Sequence, residues 1–78
     1  MNFVEALKLV MQGKKVILKS VQDQVNKMEL RGLLFIRLSD NKDCLVAESK
    51  QGYIQPWPFE GCTNLLNWYI AEDWIEVD

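Results

Sequence analysis

The first eighteen residues constrain the fold most strongly, because they predict an amphipathic helix that passes almost directly into a β-strand. Asn2 and Glu5 have the spacing of a capping box, in which each side chain bonds the backbone N–H of the other residue. Gly13 offers the left-handed conformation that ends a helix. "KKVILK", residues 14–19, has the apolar centre of a strand. We therefore expect a helix near residues 3–12 that packs an apolar stripe on a sheet; the stripe comprises Phe3, Ala6, Leu7, Val10 and Met11.

Three short apolar runs in the centre of the chain predict an antiparallel meander. "LRGLLFIRL" (residues 30–38), "CLVAE" (44–48) and "YIQPW" (53–57) have the composition of strands, and turn residues separate them. Gly32 indicates a bulge or a close backbone approach. Pro56 removes a ladder donor, so the third run must leave the sheet or lie at its edge. Residues 20–29 are polar and fit a loop, a hairpin arm or a helical turn.

The end of the chain predicts a short helix and a last strand. Thr63 or Asn64 can cap a helix through "LLNWYIA", residues 65–71, and "DWIEV", residues 73–77, alternates as a strand does. We therefore expect one α+β domain over residues 1–78. Its N-terminal helix packs on an antiparallel sheet of at least four strands, followed by the short C-terminal helix and the last strand.

The chain lacks the residue on which much catalysis depends. It contains no histidine, the commonest general base and metal ligand, so we expect no enzyme, no metal site and no cofactor. Cys44 and Cys62, without a secretory context, are predicted to be reduced thiols. No apolar run approaches the roughly 20 residues that span a bilayer, and the first ten residues lack the features of a signal peptide. We expect a cytoplasmic protein without a membrane partner.

Charge is unevenly distributed along the chain. Residues 1–50 contain nine basic and six acidic residues, a net charge of +3, whereas residues 51–78 contain five acids and no base, a net charge of −5. The two halves either pair, within the fold or across a subunit contact, or leave a basic side that holds a small anion. The pI of about 5.0 disfavours binding of a long nucleic acid. Arg31 and Arg37 share a strand face if no bulge intervenes, and they are the candidate phosphate ligands; a solvated face or a salt bridge is the alternative.

The aromatic residues divide between core and candidate site. Trp74 alternates with apolar residues near the end of a short chain and is predicted to anchor the core. Trp57 lies between two prolines, in a rigid loop that either presents it outward or packs it in the core. Trp68 and Tyr69 are neighbours on the predicted helix and point in different directions, so at least one is expected at the surface or at a subunit contact. Trp57, Trp68 and Tyr69 are the candidate platforms for a flat ligand.

The opening "MNFVEALKLVMQGKKV", the hairpins that end in "YIQPW" and the closing "AEDWIEV" follow one another in an order that resembles the Thoeris anti-defence 2-like domain of phage and bacterial proteins. The resemblance covers nearly the whole chain and is strongest at its ends. The chain departs from the family pattern at Val21, where the family commonly has a tryptophan, and at Leu65 and Trp68, where it has a Ser-x-x-Asp pair. The matching positions are Asn2, Phe3, Ala6, Leu7, Gly13, Lys14, Val16, Trp57, Ala71, Asp73 and Trp74.

The resemblance implies an oligomeric phage sponge, a dimer or tetramer, in the cytoplasm of the host. Such a protein binds a host immune signalling nucleotide, either a cyclic ADP-ribose isomer or a cyclic oligonucleotide, and sequesters it without cleavage. On this hypothesis Arg31 or Arg37 contacts a phosphate, and Trp57, Trp68 or Tyr69 contacts a base. Self-association is also expected because the core is small and residues 33–36 are strongly apolar.

The rival hypothesis is a protein-interaction module that inhibits a host defence protein through an edge strand and exposed aromatic side chains. A concave pocket lined by Trp or Tyr together with Arg favours the sponge. A flat apolar patch favours the interaction module, and a structural accessory protein shows neither feature.

Overall fold

The computed structural model describes residues 1–27, 32–58 and 65–77, which form three helices and one five-stranded antiparallel sheet. The spatial order of the strands is β4-β3-β2-β1-β5, so the last strand pairs with the first. This arrangement confirms the predicted α+β fold. In chain order the elements are α1 (Phe3–Met11), β1 (Lys15–Leu18), α2 (Lys19–Asn26), β2 (Leu33–Leu38), β3 (Leu45–Ser49), β4 (Ile54–Pro56), α3 (Leu65–Ile70) and β5 (Trp74–Val77).

Helix α1 begins and ends where its sequence predicts. The Glu5 N–H donates to Asn2 Oδ1 at 2.9 Å and the Asn2 N–H donates to Glu5 Oε1 at 3.2 Å, which completes the capping box. Gly13 follows the helix with φ +87°, in the region that favours glycine. The helix therefore enters β1 over a short connection. Phe3, Ala6 and Val10 of the predicted stripe pack in the core, whereas Met11, at the last position of the helix, is 65% exposed and the prediction for it was wrong.

The main core lies between α1 and one face of the sheet. Cross-strand pairing places Val16 beside Ile36 and Leu18 beside Trp74, so these side chains share the face that α1 covers. Ala6 and Val10 are the buried residues of α1. The buried members of this cluster are Ala6, Val10, Val16, Leu18, Ile36, Ala47, Trp57 and Trp74.

Helix α2 occupies the segment whose sequence left three alternatives open, and it packs on the opposite face of the sheet. Its Val25 is buried, as are Ile17 and Phe35 on that face. Gly32 approaches α2 closely: a Cβ built on it would lie 2.6 Å from Val25 Cγ2. The predicted close backbone approach at this glycine is confirmed, and the β2–β3 register shifts between Leu33 and Phe35.

Strands β2, β3 and β4 form the predicted meander, with β4 at one edge of the sheet. Pro56 pairs with Val46 at this edge, where a missing N–H costs no ladder bond. The Gly52 N–H donates to the Ser49 carbonyl in the tight turn between β3 and β4, and Gly52 has φ +84°. None of the helices in the described parts of the chain is long and apolar enough to cross a membrane.

Asp73 joins the end of the chain to α2. Its carboxylate accepts a hydrogen bond from the Ser20 N–H at 3.1 Å, and its carbonyl accepts one from the Lys19 N–H at 2.9 Å. Helix α2 has no side-chain cap of its own, because Leu18 occupies the N-cap position. The carboxylate of Asp73 therefore satisfies a free N–H at the positive end of the α2 dipole.

Candidate functional site

Five aromatic rings from distant parts of the chain form one cluster, which we call the aromatic cluster. Neighbouring ring centroids lie between 5.1 and 6.5 Å apart, most of them tilted or edge to face. The rings come from α1, from the residue after β4, from α3 and from β5. Its members are Phe3, Trp57, Trp68, Tyr69 and Trp74.

Trp74 is the structural anchor of the aromatic cluster. Its side chain is only 1% exposed, and its Nε1–H donates to the Trp68 carbonyl at 3.0 Å. The Trp74 backbone N–H donates to the Met1 carbonyl at 3.1 Å. These bonds tie α3 and the N-terminus to β5, and they confirm the prediction that Trp74 belongs to the core.

Trp57 is buried as well, and its indole N–H has no partner among the described residues. Of the two alternatives for this residue the structure shows the core position, since the ring is 5% exposed and lies within 6.5 Å of the Trp68, Tyr69 and Trp74 rings. Among the described residues nothing accepts a hydrogen bond from its Nε1–H. An unpaired buried donor costs free energy, typically about 1–3 kcal/mol, so an acceptor that reached this N–H would be bound favourably.

Trp68 and Tyr69 differ in exposure, as their adjacent positions on α3 predict. Trp68 is half-buried, with its ring 5.9 Å from that of Trp57. Tyr69 is 38% exposed, and its ring lies 5.1 Å from Phe3 and 6.0 Å from Trp57. Tyr69 therefore connects the buried rings to the surface.

Arg37 lies on the other side of the sheet from the aromatic cluster. Its neighbours Ile36 and Leu38 pack in the core with Trp57, so alternation along β2 directs Arg37 to the opposite face. Its guanidinium lies 3.5 Å from Glu48 and 3.4 Å from Asp40, and donates to the Leu38 carbonyl at 2.7 Å. Of the alternatives for Arg37, the structure therefore shows the salt bridge.

Of the two candidate arginines only Arg37 is among the described residues, and it does not reach the aromatic cluster. Arg37 instead lines an open cleft of about 250 Å³ near the turn between β2 and β3, together with Gly13, Ser39, Asp40 and Lys42. Arg31 lies outside the described residues, as do Cys62, Thr63 and Asn64. The register shift after Leu33 also breaks the simple alternation from which a shared face for the arginines was expected.

Other polar residues do not assemble a reactive centre in the part of the chain that the structure describes. There, no group of three Cys, Asp or Glu side chains lies close enough to hold a metal ion. Cys44 is exposed and free. Val21, at the position where the family pattern has a tryptophan, is half-buried against the core. The aromatic cluster, where the Trp57 N–H has no acceptor in the described part of the chain, is thus the candidate site.

No protein-family model matches the chain, and neither a curated protein nor a solved structure matches it. Membership of the Thoeris anti-defence 2-like domain accordingly stays a prediction from the sequence.

Proposed function

We propose that the protein binds a small signalling nucleotide at the aromatic cluster and sequesters it without cleaving it, as a phage sponge does. The observation that carries this proposal is the buried Nε1–H of Trp57, which has no acceptor among the described residues although aromatic rings surround it. The ligand class rests on the resemblance of the chain to the Thoeris anti-defence 2-like domain. The chemistry of the cluster fits a heteroaromatic base.

A base is a suitable occupant because it offers both a flat face and hydrogen-bond acceptors. Its ring nitrogen or carbonyl accepts from Trp57 Nε1, and its face stacks on Trp68 or Tyr69, an interaction of roughly 1–3 kcal/mol per base. We place the entry at Tyr69, whose partly exposed ring lies 6.0 Å from that of Trp57. In this proposal Trp57 is the hydrogen-bond donor to the base, and Tyr69 is the exposed platform.

Phosphate recognition in this proposal cannot come from Arg37 of the same copy. The sheet separates Arg37 from the aromatic cluster, and Glu48 and Asp40 already neutralise its charge. Arg31 keeps its predicted role as a phosphate ligand. Sequestration needs no general base, and the chain contains no histidine to supply one.

Calorimetry against cyclic ADP-ribose isomers and cyclic di- and trinucleotides tests the proposal. We expect one class to bind and to be released unchanged on heating, as judged by chromatography. Trp57→Phe keeps a buried ring but removes the N–H, and it should weaken binding about tenfold, the effect of one hydrogen bond of about 1.4 kcal/mol.

Trp74→Phe is the matched control, because it removes an indole N–H that is already bonded to the Trp68 carbonyl. It should lower the free energy of unfolding and weaken nucleotide binding less than Trp57→Phe does, because in this proposal the base accepts no hydrogen bond from Trp74. Equal affinity of the wild type and Trp57→Phe would contradict the role of Trp57. Absence of binding across the panel would remove the sponge proposal, and recovery of a cleaved nucleotide would show an enzyme.

The second candidate function is the interaction module, which is favoured by the edge strand β4. Tyr53 and Ile54 are both exposed at this edge, where an extended segment of another protein can add a strand. A photocrosslinking amino acid at Tyr53 should then capture one host protein in cells. The same amino acid at exposed Met11, on α1, is the control and should capture nothing in common with it.

A further inference from the structure

Among the described residues, the large apolar side chains that the fold leaves exposed lie on two helices and at the β4 edge, where Tyr53 and Ile54 are located. Val4 and Met11 of α1 and Leu66 and Ile70 of α3 are each between 60% and 76% exposed. By contrast, residues 33–36, whose composition led us to expect self-association, are buried or half-buried within the fold. Apart from the β4 edge, a surface for another molecule therefore lies on the helices and not on β2.

Helix α3 has two apolar faces, and only one of them is used by the fold. Leu65 and Trp68 pack against the core, and Tyr69 packs on Phe3 and Trp57. Leu66 and Ile70, at i and i+4, form an outward stripe. A surface helix that covers a core normally presents polar side chains to water on its outer face. The outer stripe of α3 is therefore suited to a partner.

Helix α1 presents a smaller apolar surface with a positive charge inside it. Val4, Lys8 and Met11, at i, i+4 and i+7, lie on the same side of the helix and are all exposed. The two helices adjoin: the Phe3 and Tyr69 rings are 5.1 Å apart, and the Met1 ammonium donates to the Glu72 carbonyl at 3.0 Å. Both stripes thus belong to the helical layer on one side of the sheet.

The charges of the two stripes are complementary. Lys8 lies within the α1 stripe, and Glu72 follows α3 by two residues; neither side chain forms an ion pair with a residue that the structure describes. The same sign difference holds for the chain as a whole, since residues 1–50 carry +3 and residues 51–78 carry −5. On one molecule, the apolar stripe of α1 therefore contains a cation, and the adjoining apolar stripe of α3 lies next to an anion.

We infer that these stripes form a homodimer interface in which α3 of one copy packs on α1 of the other, and the reverse, about a two-fold axis. Complementary patches that adjoin on one surface suit such an isologous contact. The dimensions of the molecule indicate how large such a contact must be. A standard interface covers about 800 Å² per partner, which is most of one face of a molecule measuring 30 × 27 × 26 Å. The contact must therefore include both helices. Tyr69, the proposed nucleotide entry, borders this interface, but dimerisation is measured without a nucleotide.

Sedimentation equilibrium over a concentration series tests the inference by comparing the wild type with variants in which the charges at Lys8 and Glu72 are reversed. The wild-type chain of 9.1 kDa should sediment as a dimer. Lys8→Glu and Glu72→Lys should each weaken the dimer at least threefold at low salt, because each creates a like-charge contact across the interface. The double variant restores opposite charges and should recover most of the affinity. Leu66→Glu with Ile70→Glu should weaken the dimer more than tenfold.

Tyr53→Glu is the matched control, because it places the same charge on an equally exposed apolar residue at the β4 edge. It should not alter the dimer. Far-ultraviolet circular dichroism shows whether each variant is folded, and the charge variants at exposed positions should be. A folded wild type that stays monomeric at high micromolar concentration would overturn the inference. So would a double charge variant no tighter than the single ones, or a dimer that is lost in Tyr53→Glu and kept in Leu66→Glu/Ile70→Glu.

Discussion

Replacement of Gly32 by alanine combines two separable costs, a backbone cost and a packing cost. Gly32 has φ +119°, a conformation that side-chain-bearing residues rarely adopt. The added Cβ would also lie 2.6 Å from Val25 Cγ2 and 3.2 Å from Val25 Cγ1. Because Val25 is the buried residue of α2, the substitution must shift either that helix or the start of β2.

The size of the effect follows from these two terms. A strained backbone conformation costs about 1–3 kcal/mol, and overpacking of a core costs about 1–3 kcal/mol more, so Gly32→Ala should lose roughly 3–4 kcal/mol. A domain of 78 residues is stable by only about 4–12 kcal/mol. Gly52 supplies the matched control, since its φ is +84° but a Cβ added to it would meet nothing within 4 Å. Gly52→Ala should lose only the backbone term, about 1–2 kcal/mol.

Urea denaturation followed by tryptophan fluorescence measures both effects. A double-mutant cycle with Val25→Ala isolates the packing term, because that change removes both Cγ atoms and leaves Val25 Cβ, 3.3 Å away, as the nearest remaining contact. The cost of Gly32→Ala should fall by about 1–2 kcal/mol in this background. Equal losses for Gly32→Ala and Gly52→Ala, or an unchanged cost beside Val25→Ala, would refute the reasoning.

Two further predictions concern single polar contacts, both measured by urea denaturation. Asp73→Ala should destabilise the fold by about 1 kcal/mol, since it removes the acceptor of the Ser20 N–H at the start of α2; Asp73→Asn keeps an acceptor and should recover part of the loss. Arg37→Met should destabilise by about 1 kcal/mol, because Glu48 and the Leu38 carbonyl lose a charged partner, whereas Asp40→Asn, at an exposed carboxylate, should have no measurable effect.

The fold could be predicted wherever a local pattern decides the conformation. The capping box of Asn2 and Glu5 and the left-handed Gly13 fix α1, and the turns at residues 39–43 and 49–52 define the meander. Helix α2 was not predicted because its polar sequence offers few apolar side chains. Its stabilising contacts, Asp73 at its N-terminus and the sheet under Val25, come from residues far away in the chain.

The site was less predictable, because the candidate residues had to be placed relative to one another. Arg37 and Trp57 both belong to the central meander, yet they end on opposite sides of the sheet. Burial of Trp57 depends on α3 and α1 packing over it, which no local pattern specifies. The contribution of Tyr69 likewise depends on its contact with Phe3, 66 positions earlier.

The residues that carry the family resemblance at the end of the chain have structural roles. Asp73 caps α2, the Trp74 N–H and carbonyl bond the first residue, and the Trp74 indole bonds α3. A shared Ala-x-Asp-Trp ending therefore favours a shared fold and is neutral about the ligand. The chain departs from the family pattern at three described residues, and all three pack against the core that contains Trp57: Val21, Leu65 and Trp68. Because any change in ligand preference would arise where those side chains differ, the nucleotide panel has to span several base and linkage types.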